Sequence, residues 1–213
     1  MSKVTGGVLM VLLSCSAYRA YGQNASSSAA KRAEYSIQLE NPDRQARLEA
    51  FYALWEDPLT DKHSDEGKLK FIRLLEREDS FRQQYIKEFE QTGGTVGEEY
   101  TEYYANLIQA VISLQDARSL DALLGALTTG DMVTQALAGL GAAAIDPVVH
   151  NLESADAEAR QCATIVLREM LEPKNAAKIS DPVSRDRMKK GLIEAANDGT
   201  FGCEWQQLKD WSN

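Results

Sequence analysis

Few side chains in this chain are suited to covalent or metal chemistry. The cysteines are Cys15, Cys162 and Cys203, and the histidines are His63 and His150. Neither histidine has a cysteine or carboxylate at the spacing a metal site needs, so no metal ligand set is expected. His150 stands beside an apolar stripe and is expected to pack or to be half exposed. No serine has the strand-to-helix setting of a nucleophile elbow. Adjacent carboxylates at Glu98-Glu99 and in the loop holding Asp61, Asp65 and Glu66 could be read as acid–base pairs. Helix starts account for them more simply, because carboxylates favour helix N-termini. Tyr100, Tyr103 and Tyr104 form the one aromatic cluster. By helical spacing, Tyr100 and Tyr104 belong to the core, and Tyr103 is the surface candidate for partner contact. No catalytic residue and no cofactor site is expected.

The elements that must position these residues are helices. The apolar residues recur at i, i+3, i+4 and i+7, the spacing of one helix face, with no alternating strand pattern in competition. The clearest stretch is 118–171. Leu120, Leu123, Leu124 and Leu127 form a stripe that Ile145, Val148, Val149 and Leu152 repeat 25 residues later. Val133, Ala136, Leu137 and Leu140 answer to Ala159, Cys162, Ala163 and Val166, 26 residues on. Leu123 and Val149 are expected at equivalent buried places. A short hairpin repeated at a fixed period, unable to bury its own face, is the mark of stacked helical repeats.

Here the residues resemble a known family. Ile145 to Glu153, the turn Ser154-Ala155-Asp156 and Ala157 to Arg160 are similar to a HEAT repeat, with a proline near the start of the first helix. Asp156 and Arg160 stand at the turn Asp and second-helix Arg of the family pattern. The preceding copy keeps Asp131 but has Gln135 in place of the Arg. Leu39 to Arg47 aligns with Leu152 to Arg160, sharing Leu, Glu, Asp, Ala and Arg, which suggests a further repeat at 31–55. The resemblance covers about half of the chain. It implies an all-α fold, an α-α superhelix or armadillo-like solenoid of stacked hairpins with a concave binding face, and it implies no reaction. It admits a lyase-type alternative, since some HEAT-like proteins are bilin lyases acting on cytosolic pigment proteins.

The rest of the chain sets the context. Residues 1–22 have the form of a signal peptide: Lys3, an apolar run from Val8 to Leu13, and a small-x-small site at Ala20-Tyr21-Gly22. That run is too short for a bilayer-spanning helix. Leu12-Leu13-Ser14-Cys15 also has the shape of a lipobox, so lipidation at Cys15 stays open beside cleavage after Gly22. The expected location is periplasmic or secreted in a bacterium, with membrane attachment only through Cys15. Asn24-Ala25-Ser26 has the form of a sequon, which a bacterial leader makes a coincidence. Residues 23–30 read as a flexible tether and 31–213 as the helical-repeat domain. Without the leader, 21 basic residues face 32 acidic ones, a net charge of −11. Such a surface repels nucleic acid and anionic membrane, so the expected partner is a protein.

Local signals set the helix boundaries. A first helix should run to about Glu40. Asn41 with Pro42 should start a second, striped by Leu48, Phe51, Tyr52 and Trp55 and ended by Asp57-Pro58. Helices should resume at Lys68 and again at a capping box of Ser80 and Gln83. Thr95 with Glu98 makes a further capping box, and Asp181-Pro182 starts a helix to about Asn197. Cys162 and Cys203 are a candidate disulfide, since an oxidising compartment and an even count favour a bridge. A free Cys162 packed on its apolar stripe remains the alternative. Phe201, Trp205 and Leu208 could close the end of the stack. These readings give an exported, non-catalytic interaction scaffold; the alternative is an accessory subunit of an envelope enzyme or a HEAT-like lyase-type enzyme.

Overall fold

A computed structural model of the chain describes residues 28–92 and 98–197. The described residues form helices, turns and loops with no strand among them, so the chain is all-α. It divides into two compact units, residues 1–62 and 63–213.

In the first unit, α1 spans residues 28–38 and α2 spans Arg44–Glu56. The start of α2 falls two residues later than Asn41-Pro42 would place it. Asn41 Oδ1 accepts from the backbone of Asp43 instead, and Asp43 is the N-cap, its side chain accepting from Gln45 N at 3.0 Å. Ala50, Phe51 and Leu54 are buried on α2, while Tyr52 and Trp55 are half-buried. Asp57 ends the helix in an extended conformation, as the residue before a proline must. Arg32 holds its carboxylate at 3.3 Å. Lys62 lies over the Trp55 ring and donates to the Trp55 carbonyl.

The second unit opens with α3, Asp65–Thr92, and α4, Glu98–Ser113. α3 is unbroken where two helices were expected. No glycine or proline interrupts it from Lys68 onward, and Ser80, the expected cap, donates to Glu76 O from mid-helix. It starts at Asp65 because Ser64 Oγ accepts from Gly67 N, three residues earlier than Lys68. Next come α5 (Leu120–Gly125), α6 (Asp131–Gly139), α7 (Ala142–Asn151) and α8 (Ala157–Leu171). A short α9 (Pro173–Ala176) and α10 (Pro182–Asn197) complete the order. The Asp181 cap holds as expected, accepting from Val183 N and Ser184 N. The Thr95 cap and the apolar tail lie outside the described residues.

α3 packs on α4, α5 on α6 and α7 on α8, so consecutive helices form hairpins. α3 also contacts α5, and α5 contacts α7; α4 contacts α6, and α6 contacts α8. α10 packs on both α7 and α8. The two copies differ in their first helix. α7 is a continuous ten residues and tolerates Pro147 six residues in, whereas α5 is six residues flanked by 3-10 turns at Ala117–Ser119 and Leu127–Thr129. Leu123 is buried as expected, and its equivalent is Val148, fully buried, rather than the half-buried Val149. Val149 instead meets α10: a Cβ on Gly191 would sit 3.5 Å from Val149 Cγ2 and 3.1 Å from Leu152 Cδ1.

Candidate functional site

A polar cluster lies between α3, α4 and α5. The α3 stripe of Phe71, Leu74 and Leu75 is apolar, but its next turn places Glu78, Asp79 and Arg82 on the same side. α4 brings three tyrosines to them. Tyr100 Oη donates to the Glu78 carbonyl at 3.3 Å, Tyr103 Oη to Glu78 Oε1 at 3.3 Å, and Tyr104 Oη to Asp79 Oδ1 at 3.2 Å. The Arg82 guanidinium stands 5.6 Å from the Tyr104 ring centroid. α5 approaches from the third side, where a Cβ on Gly125 would lie 2.5 Å from Asp79 Oδ2.

Burial decides what this cluster can do. Glu78 and Tyr103 are both 0% exposed, which overturns the reading of Tyr103 as a surface residue. The α4 core face is wide: Tyr103, Leu107 and Ala110 are buried beside Tyr100, Tyr104, Ile108 and Val111. Desolvation pushes the Asp79 carboxyl above its ordinary value, against the Tyr104 hydrogen bond and the Arg82 charge. Desolvation also pushes the Tyr104 phenol far up, with the Asp79 charge adding to it. A phenol so raised stays protonated and donates, so the arrangement suits a structural bond between helices. A substrate would have to displace the core to reach Glu78 or Tyr103, while Asp79 is half-buried. The signal in the sequence was the appearance of Glu78, Asp79 and Arg82 where the stripe calls for apolar residues.

The other candidates do not converge on it. Cys162 is a free, half-buried thiol on α8, pushed up by desolvation and by the charges of Glu158, Asp156 and Asp131. A thiol raised in this way is a poor nucleophile. Its expected partner Cys203, and the lipidation candidate Cys15, lie outside the described residues. His63 is exposed, and His150 is exposed with Nδ1 3.7 Å from Glu153 Oε2. No three His, Cys, Asp or Glu side chains among the described residues are grouped to hold a metal ion. The acidic loop is a helix start: Glu66 pairs with Lys70 at 2.8 Å, and Asp65 with Arg118 at 3.0 Å. Arg118 also pairs with Asp116 at 2.6 Å, and its hydrogen bond holds the Asp116 carboxyl far below the usual range.

Asp156 and Arg160 belong to a recurring turn. Asp156 caps α8 by accepting from Glu158 N at 2.9 Å, and Arg160 Nη1 donates back to Ser154 O and Ala155 O at 2.7 and 3.1 Å. Asp43 and Arg47 do the same at α2, with Arg47 Nη1 on Asn41 O and Pro42 O at 2.7 and 2.9 Å. A third instance stands at α10. Asp181 caps α10, and Arg185 Nε reaches Ile179 O at 2.8 Å. In each, an arginine four residues after the capping aspartate closes the carbonyls of the turn before it. Asp131 is not such a cap: α6 begins at that residue, after Gly130 with φ 134°, and Gln135 makes no equivalent closure among the described hydrogen bonds.

No described helix is long and apolar enough to cross a membrane. No protein-family profile, curated protein or solved structure matches the chain.

Proposed function

We propose that this chain is an exported, non-catalytic protein-interaction scaffold, built as a HEAT-like solenoid of stacked helical hairpins. The observation that carries the reading is the order of contacts, first helices on first helices (α3, α5, α7) and second on second (α4, α6, α8). A chain of hairpins stacked each on the next offers long surfaces. The aspartate–arginine turns at Asp43, Asp156 and Asp181 support the HEAT resemblance. Export rests on the leader-like residues 1–22. The test is affinity capture from the cell envelope with mass spectrometry of partners and of the intact mature chain. Reproducible protein partners and a mature chain starting at Gln23 are expected. Capture with no reproducible partner, or a purified sample carrying a chromophore or metal, would overturn the scaffold reading. A diacylglyceryl group on Cys15 would replace secretion with membrane anchoring.

A further inference from the structure

α5 has six residues, with one 3-10 turn before it and another after it, and Ala126 closes it in a non-helical conformation (φ −88°, ψ 8°). Gly130 follows with φ 134°. So short a helix is not stable by its own hydrogen bonds, and its place is set by what it packs on. It packs on α3 and on α7. Against α3, Gly125 meets the half-buried Asp79, where a Cβ would lie 2.5 Å from Oδ2.

The groups around that carboxyl offer it two positions. From α4, Tyr104 donates to Oδ1 at 3.2 Å, and Tyr100 stacks on Tyr104 with ring centroids 6.0 Å apart. From α3 come the buried Glu78, whose Oε1 takes the Tyr103 phenol, and Arg82, whose charge acts on Asp79. α5 brings no cation, and its carboxylate, Asp121, is exposed one turn before Gly125. Arg82 Nη1 is buried, with no hydrogen-bond partner among the described residues. A neutral carboxyl fits this arrangement: it keeps Tyr104, rests on Gly125 and makes no demand on Arg82. An ionised one does not, since its charge is desolvated against Gly125 while a buried donor one turn along goes unused.

We propose that α5 is an acid-set latch: with Asp79 neutral it is closed on α3 at Gly125, and ionisation turns the carboxylate towards Arg82 and lets α5 part from α3. The proton leaves to solvent on the half-exposed side of the carboxyl. Because α5 also packs on α7, the latch sets how firmly the α3–α4 hairpin joins those that follow. Desolvation raises the carboxyl in the closed form, so closure is favoured in acid and lost as pH rises through that raised value. Asp116, at the head of the 3-10 turn before α5, is held far below the usual range by the hydrogen bond from Arg118, so it keeps its charge throughout and is no part of the latch.

Native-state hydrogen exchange on the full chain, read by mass spectrometry and corrected for the intrinsic pH dependence of exchange, tests this. The amides of α5 and the turn after it include Ala126 N, which donates to Ala122 O at 3.2 Å. They should lose protection by about threefold or more between mild acid and neutral pH, while α8 keeps its protection. Asp79→Asn should stay closed and show no such pH dependence. Glu78→Gln, which keeps an acceptor for Tyr103, should preserve the dependence. Arg82→Gln should move the opening to higher pH, because the cation that favours the ionised form is gone. Gly125→Ala should loosen α5 in the unaltered chain and not in one that also carries Asp79→Ala, where the oxygen it meets is absent. The proposal is overturned if α5 protection does not change with pH, if the change survives Asp79→Asn or vanishes in Glu78→Gln, or if α8 loses protection in step, which would mark a change in global stability instead.

Discussion

The hairpins α3–α4 and α7–α8 solve the same packing problem with different chemistry. α7–α8 buries the apolar side chains Ile145, Val148, Ala163, Val166 and Leu167, and the Asp156–Arg160 turn stands at its rim. On α3–α4 the buried apolar residues Phe71, Leu74, Leu75, Leu107 and Val111 give way to tyrosines and carboxylates in the interior. An apolar seam tolerates sliding by a turn at small cost, since one aliphatic contact resembles the next. A buried tyrosine–carboxylate bond does not, because a slip strands its polar atoms. The comparison suggests that the polar hairpin fixes the register in which later hairpins stack, while the apolar one supplies cohesion.

Substitutions on the two sides should separate these roles. The largest effect is expected in the apolar seam: Leu167→Ala on α8 should cost roughly 2–5 kcal/mol by urea denaturation, through lost burial and a cavity. A cost near zero would mean that the seam is not the source of cohesion. Tyr103→Phe removes the phenol from Glu78 and should cost about 1–3 kcal/mol while leaving the packed volume unchanged. An unaffected Tyr103→Phe would dissolve the distinction between the hairpins. Arg160→Ala should cost about 1 kcal/mol, because the guanidinium bonds only turn carbonyls and water can replace part of them. Loss of partner binding without loss of stability would move Arg160 from the turn to an interface.

The smallest change is the most diagnostic. Burial raises the Asp79 carboxyl, so the folded protein binds that proton more tightly than the unfolded chain does. This group therefore favours folding below its unfolded value, and that advantage is lost as pH rises through the raised folded value. Asp79→Asn keeps an acceptor for Tyr104 and removes the charge. It should raise stability near neutral pH by up to about 1 kcal/mol, discounted because the group is only half-buried, and the gain should vanish in acid. Thermal melts across pH would reveal it. A loss at neutral pH would show that the Arg82 attraction outweighs desolvation.

The sequence carried much of this fold, and the reasons it stopped are specific. The cap at Asp181 was legible because an N-cap is a local event settled by a few neighbouring residues. Ser80 and Gln83 have the same local form inside α3, where tertiary packing runs the helix straight through. Tyr103 was misplaced because a narrow stripe was assumed for α4, a helix whose neighbours α3 and α6 bury a wider face. The cluster of Glu78, Asp79 and the tyrosines joins residues about 25 apart, so no single-helix pattern contains it.

Gly191 gives the last described helix a kinetic character. Without a side chain there, α10 settles close against Val149 and Leu152, and its buried Met188 and Leu192 complete the seal. The closeness rests on one missing methyl group and on contact with α7 and α8. Opening should therefore start here, as fraying of α10 while the inner hairpins stay shut, and amide exchange should run fastest to slowest from α10 inward through α8 and α6.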